Sequence, residues 1–375
     1  MKESFGVNVV GFPQSTLGLG EDARMATNVI NNLSIPVVAI QAPMSGPPKL
    51  EHSVDHFVSD HLQYDVSIFC LPPPDMYRLA LEGGRHLIDV KTYRIGAWPW
   101  ELPHWPSAFG RLDKFVDEIW AQSEFVATVY KKLGIVSVFN MPMVISIPKP
   151  TKNLRDSMNL PSNSFLFYLL FDGNSWLSRK NPLGGVQAFQ KAFPLNLENQ
   201  NIGLVIKAMN VNPNDSMWKK IELIAAKDPR IHIIQKRMER QDLINLMDSC
   251  DCYISLHRSE GFGRVIAEAM LLGQPVVVTN FSGNVDFCNS STAYMVDGEL
   301  QPLLPGDYLF YEGQYWCDPD INTASKQLVR VFENPVERNK ISKAGRDLIL
   351  EKYSMSTVSR AYLGRLSKIR VEYSL

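Results

Sequence analysis

The chain has 375 residues, more than one hydrophobic core ordinarily organises, so its length favours two domains. Hydrophobic residues make up 45% and charged residues 21%, which is the balance of a folded protein and excludes a disordered one. Lys and Arg number 38 against 39 acids, and a net charge of −1 excludes nucleic-acid binding driven by a basic face.

Phe5–Gly11 reads as a strand, followed by a glycine-rich loop and a helix from Glu21 to about Leu33. Ile35–Ile40 and Val66–Leu71 return as strands, the second stopped by Pro72, Pro73 and Pro74. Tyr93–Trp98 and Glu118–Gln122 are further strands. The three prolines between Met141 and Pro150 break the pattern and predict a linker at 141–160. A second series then begins: strands Phe165–Phe171, Ile202–Ala208, Ile231–Gln235, Cys252–Leu256 and Pro275–Thr279, with helices Leu183–Phe193 and Met217–Ala226 among them. Alternation of this kind predicts α/β architecture in two Rossmann-like, doubly wound domains facing a central cleft, over 1–150 and 151–354. In the tail, 355–375, Tyr362, Leu363, Leu366 and Ile369 mark an amphipathic helix packing back toward the first domain. Arg360, Arg365, Lys368 and Arg370 keep peripheral contact with an anionic membrane surface as the alternative.

The longest purely apolar run, Phe165 to Phe171, is far short of the roughly 20 residues that span a bilayer. The first residues lack a basic-then-apolar leader. Cys250 and Cys252 are too close for a zinc pair, and with Cys70, Cys288 and Cys317 they read as packing residues of a reduced, cytoplasmic chain.

The strongest chemical signal runs from Ser255 through Glu260, Gly261, Phe262 and Gly263 into a helix ending at Gly273. Strand, tight glycine loop and helix N-terminus make an anion site, because free N–H groups and the helix dipole point at the ligand. Glu268 follows Glu260 by eight residues. If most of that interval is helical, the two carboxylates share a face about 12 Å apart along the axis. An acid at Glu268 suits two vicinal hydroxyls, as on ribose. After the Phe165–Phe171 strand, Arg179 and Lys180 suit a diphosphate, Arg as a fork and Lys as a point charge. Lys207 ends an apolar strand, where a lysine is costly without a ligand.

The segment Ser255–Thr279 resembles the donor-site signature of retaining GT-B glycosyltransferases of family four. Its hallmark of two glutamates separated by seven residues is matched by Glu260-Gly261-Phe262-Gly263, Glu268-Ala269-Met270, Gly273 and Pro275-Val276-Val277. The resemblance implies that Glu260 lies at the transferred sugar, Glu268 at the ribose and Lys180 at the pyrophosphate. The family's Gly-Arg after the strand reads Asp172-Gly173 here, so Arg179 or Lys207 stands in for the missing cation. Gly18 and Gly20 resemble the family's N-terminal glycine loop that closes over the donor, with Arg24 on the following helix reaching the cleft. In the loop Ser282–Asp286, Asn284 is the foremost donor contact, and Gln235–Met238 lines the nucleobase by position.

Trp98, Trp100 and Trp105 surround Glu101 within eight residues. The indoles suit the apolar face of an acceptor sugar and Glu101 its hydroxyls, or the group is a buried aromatic cluster. Asp318-Pro319-Asp320 mimics a metal-binding acid pair but reads as a turn. The implied function is a retaining, metal-independent hexosyltransferase without cofactor, moving a sugar from a nucleotide-diphosphate donor to a saccharide or lipid-linked saccharide in O-antigen or capsule synthesis. Mannose from GDP-mannose is the implied sugar. A sugar-nucleotide epimerase, a phosphorylase, or a non-catalytic sugar-nucleotide-binding subunit of a polysaccharide assembly fit the same residues.

Overall fold

The computed structural model describes residues 5–374 except 17, 47–49, 107–108, 110–113, 135 and 196–200. The chain divides into two compact units, Met1–Val144 with Lys352–Leu375, and Ile145–Glu351. The boundary lies within residues 141–150, which hold neither helix nor strand. Among the described residues, no helix is long and apolar enough to cross a membrane.

The first unit comprises β1 (Val7–Gly11), α1 (Gly18–Asn32), β2 (Val37–Gln41), β3 (Val66–Phe69), α2 (Pro73–Leu81), α3 (Arg85–Ile88), β4 (Tyr93–Ala97), β5 (Glu118–Ala121), α4 (Glu124–Lys131) and β6 (Ser137–Asn140). All strands pair in parallel in the order β2-β1-β3-β4-β5-β6. The proline run does not merely stop β3. Pro73 and Pro74 occupy the first positions of α2, where a missing N–H costs nothing and the fixed φ suits a helix. Helix α1 buries Ala23, Ala26 and Ile30 against Val7, Val9 and Ile68 of the sheet. The tail joins the same core, as the helix Met355–Glu372 inserts Val358, Tyr362, Leu366 and Ile369 beside Trp120. Spacings of four, four and three put those four side chains on one stripe.

The second unit comprises β7 (Phe165–Asp172), α5 (Leu177–Lys180), α6 (Pro182–Ala192), β8 (Ile202–Met209), α7 (Ser216–Ala225), β9 (Ile231–Ile234), α8 (Arg240–Asp248), β10 (Cys252–Ser255), α9 (Arg264–Leu271), β11 (Val276–Thr279) and β12 (Tyr294–Val296). A hairpin, β13 (Gly298–Pro302) and β14 (Tyr315–Pro319), precedes α10 (Ile321–Glu333), α11 (Pro335–Lys352) and the tail helix α12 (Met355–Glu372). The main sheet is ordered β12-β11-β10-β7-β8-β9 with parallel pairing throughout. Burial on both faces explains the apolar runs Phe165–Phe171 of β7 and Ile202–Ile206 of β8, two strands that pair over eight residues. Strand order reverses between β7 and β10. Ligands of open α/β sheets sit at such a switch point, outside the carboxyl ends of the strands. All five cysteines are buried and none is in a disulfide.

Candidate active site

Arg179 and Lys180 leave the carboxyl end of β7 on a short, tightly held path. Asp172 accepts a hydrogen bond from the Asn174 amide at 2.9 Å and starts a turn. Trp176 (φ 64°) and Asn181 (φ 49°) both adopt positive φ, bracketing the single helical turn that carries the two cations. Asn181 then caps α6: its Oδ1 accepts from the Gly184 amide at 3.2 Å, and its Nδ2 donates to the Leu256 carbonyl at 2.9 Å. That second bond ties the β7 loop to β10 across the switch point. The Arg258 amide adds another, donating to the Arg179 carbonyl at 2.8 Å.

From β10 the chain enters the loop His257–Gly263 and brings Glu260 onto the cations. Lys180 Nζ donates to Glu260 Oε1, and Arg179 Nη1 lies 3.3 Å from Oε2 while also donating to the Ser259 carbonyl at 2.9 Å. Burial alone would raise the Glu260 carboxyl, but Lys180 and Arg179 outweigh it and hold the group at about 2. Glu260 is therefore a buried anion between two cations. Gly263 (φ 94°) caps α9, so the helix starts only at Arg264 and Glu260 is not on it. The expected helical face shared by Glu260 and Glu268 does not exist, because a left-handed residue cannot continue the helix.

The loop after β11 clamps the Glu260 segment from its other side. The Glu260 amide donates to Ser282 Oγ at 2.8 Å and the Gly283 amide to the Glu260 carbonyl at 2.8 Å. A Cβ on Gly283 would lie 2.0 Å from the Gly261 carbonyl oxygen, so only glycine permits this approach. Asn284 is wholly buried, and both ends of its side-chain amide meet protein groups. Its Nδ2 donates to the Thr279 carbonyl at 2.9 Å, which turns Oδ1 toward His257 Nε2 at 3.0 Å. His257 Nε2 must then carry the proton, leaving Nδ1 to accept from Ser255 Oγ at 3.0 Å. Burial lowers the His257 pKa and keeps this ring neutral beneath the charged trio. Phe262 is also buried, against Phe287 at 5.1 Å between centroids.

Glu268 lies buried on α9, and Arg240 grips it at both oxygens, Nη2 to Oε1 at 2.6 Å and Nη1 to Oε2 at 3.2 Å. Lys207 ends buried on β8, donating to the Ala208 carbonyl at 3.1 Å; burial lowers its pKa against the pull of Asp172. It is not drawn to Glu260, so Arg179 is the cation that accompanies Lys180 there. Asp318 and Asp320 part company. Asp318 accepts from Arg258 Nε at 2.6 Å, whereas Asp320 caps α10 through the Asn322 and Thr323 amides. Among the described residues, no group of three or more His, Cys, Asp or Glu could hold a metal ion.

Residues 177–301 match the family described as glycosyl transferases group 1. The matched segment contains Arg179, Lys180, Glu260, Glu268, Asn284 and Arg240. The whole chain is also similar in fold to several solved structures. Anabaena HepE in complex with UDP and glucose aligns over 97% of this chain and 100% of its own, with TM-score 0.68 and 13% identity. Sucrose-phosphate synthase of Thermosynechococcus elongatus aligns over 99% and 100%, with TM-score 0.68 and 12% identity. α,α-Trehalose 6-phosphate synthase of Burkholderia multivorans aligns over 99% and 100%, with TM-score 0.64 and 13% identity. The architecture is GT-B, two Rossmann-like parallel-sheet domains.

Outside the matched segment, several of the residues expected to touch substrate are engaged within the protein. Gly18 and Gly20 lie in the first turn of α1 and not in a loop; Leu17 is outside the described residues. A Cβ on Gly20 would meet the Ser15 carbonyl oxygen at 2.2 Å, so this glycine serves the close entry of the helix. Arg24 is buried, donating to the Pro13 carbonyl at 2.9 Å and to Glu21 at 2.7 Å. Trp98 is fully buried and Trp100 nearly so. Trp100 packs on Trp105 at 5.2 Å and donates to the His104 carbonyl at 3.1 Å. Trp98 and Trp100 are thus buried within the first unit, while Trp105 and Glu101 are half-buried.

Three contributors, His257, Arg240 and Asn181, are not singled out by the sequence. His257 was visible inside the motif, but its partner Asn284 is 27 residues away. Arg240 lies 28 residues from Glu268 and carries no motif. Only Asn181 left a local sign, as an Asn preceding a proline at the start of an apolar helix.

Proposed function

We propose that this protein is a retaining, metal-independent glycosyltransferase that moves a hexose from a nucleotide-diphosphate sugar to a saccharide or lipid-linked saccharide in surface-polysaccharide synthesis. The observation that carries the reading is the convergence of Lys180, Arg179 and Glu260 at the β7/β10 switch point of the second unit. A diphosphate entering beside this trio meets two preorganised cations. As the glycosidic bond breaks, charge grows on the β-phosphate, and Lys180 and Arg179 stabilise it. The transition state is oxocarbenium-like, and attack on the same face gives retention, with the departing phosphate accepting the acceptor's proton. Glu260, held as an anion, orients the sugar and supports its developing positive charge. Glu268 takes the ribose hydroxyls.

The resemblance to family four points to mannose and GDP. The HepE structures, which hold UDP, glucose and UDP-glucose, make uridine the competing base. Calorimetric titration with GDP, UDP, ADP and dTDP, each with and without magnesium, tests the reading. Tight binding of one nucleotide without magnesium supports it and names the base. Binding of none overturns it, and binding only with magnesium overturns its metal-independence.

A further inference from the structure

We propose that Arg240 is a positioning residue for the ribose of the donor, holding the Glu268 carboxylate in the orientation that receives two vicinal hydroxyls. The inference rests on the ribose role given to Glu268 above. Glu268 is 3% exposed and is met end-on by both terminal nitrogens of Arg240, one per oxygen, at 2.6 and 3.2 Å. One N–H on each carboxylate oxygen leaves each a second lone pair. A vicinal diol needs that number.

The two residues come from different elements. Arg240 opens α8 after the carboxyl end of β9, and Glu268 sits in the middle of α9. The Arg240 side chain is 36% exposed while its partner's is 4%, so the guanidinium reaches the surface and the carboxylate does not. A buried acid without a cation would also repel the phosphates of an arriving nucleotide. Arg240 offsets that charge and leaves the carboxylate able to accept hydrogen bonds. Residue 240 lies outside the two-glutamate motif, so its part in the site follows from the fold and not from the motif.

Calorimetric titration of the full chain with GDP, UDP and their 2′-deoxy counterparts tests the assignment, using Arg240→Met, Arg240→Lys and Glu268→Gln. Arg240→Met is expected to weaken the ribonucleotide that binds by about tenfold and its 2′-deoxy form by less than about twofold. Arg240→Lys should recover part of the loss, because one donor returns without the fork. Equal losses for both sugars in Arg240→Met, or no loss, overturn the proposal if Glu268→Gln does tell ribose from deoxyribose. If Glu268→Gln treats the two sugars alike, the ribose reading itself is wrong and this inference goes with it. Failure of both GDP and UDP to bind the unmodified chain overturns both.

Discussion

Lys180 and Arg179 already face an anion, the Glu260 carboxylate, so a diphosphate arriving beside them competes with a group of the protein. Glu260→Gln removes the competitor while keeping the shape. Nucleotide-diphosphate affinity should hold or rise by up to about tenfold, while transfer falls by about 100-fold or more. Calorimetry and a transfer assay separate the two effects; weaker nucleotide binding would place Glu260 somewhere other than beside the sugar. Lys180→Ala should act mainly on the chemical step, slowing transfer by about 10²–10³-fold with a smaller change in affinity. Glu268→Ala should instead weaken nucleotide binding by about tenfold through lost charge-assisted hydrogen bonds. If neither variant moves rate or affinity, the donor site is elsewhere.

At the scale of elements, the site depends on loops that approach more closely than side chains allow. Gly283→Ala would push a methyl group onto the Gly261 carbonyl and force the two loops apart. Overpacking of this kind costs about 1–3 kcal/mol, and here it would also move Glu260 off its cations. Urea unfolding should show the loss together with reduced transfer; full activity would show that the loops separate harmlessly. Asn181→Ala removes the cap of α6 and the bridge to the Leu256 carbonyl while leaving a residue in left-handed backbone. About 2 kcal/mol of destabilisation is expected, from the lost cap and the residual strain together. Asn181→Gly should be milder, since glycine tolerates the backbone.

Taken as a whole, the molecule should lose stability in acid, and two buried groups of the second unit contribute. Burial keeps His257 neutral in the folded state, so below its ordinary value of about 6.5 the unfolded chain binds a proton that the native chain does not. Its contribution is present above that pH and falls as pH drops. Glu260, held at about 2, adds a second loss as pH falls from the usual glutamate range toward 2. His257→Gln should flatten the dependence of the urea midpoint between pH 7 and 5; an unchanged slope would mean that His257 titrates normally. In the first unit, the tail is part of the fold. Buried Glu118 accepts from Arg365 Nη2 at 2.5 Å, Tyr93 Oη at 2.8 Å and Trp120 Nε1 at 2.6 Å. Arg365→Met strands that carboxylate and should cost about 3–5 kcal/mol, read as a lowered melting temperature of the first unit. Local patterns were enough to reveal the α/β alternation, the β10–α9 glycine turn and the two cations after β7, because each depends on neighbours within a few residues. Packing alone decided that Asn284, Trp98 and Trp100 face inward, that Gly20 serves a helix entry, and that Arg240 holds Glu268. Each of those depends on which distant backbone or side chain lies within about 3 Å, and one-dimensional periodicity carries no record of such approaches.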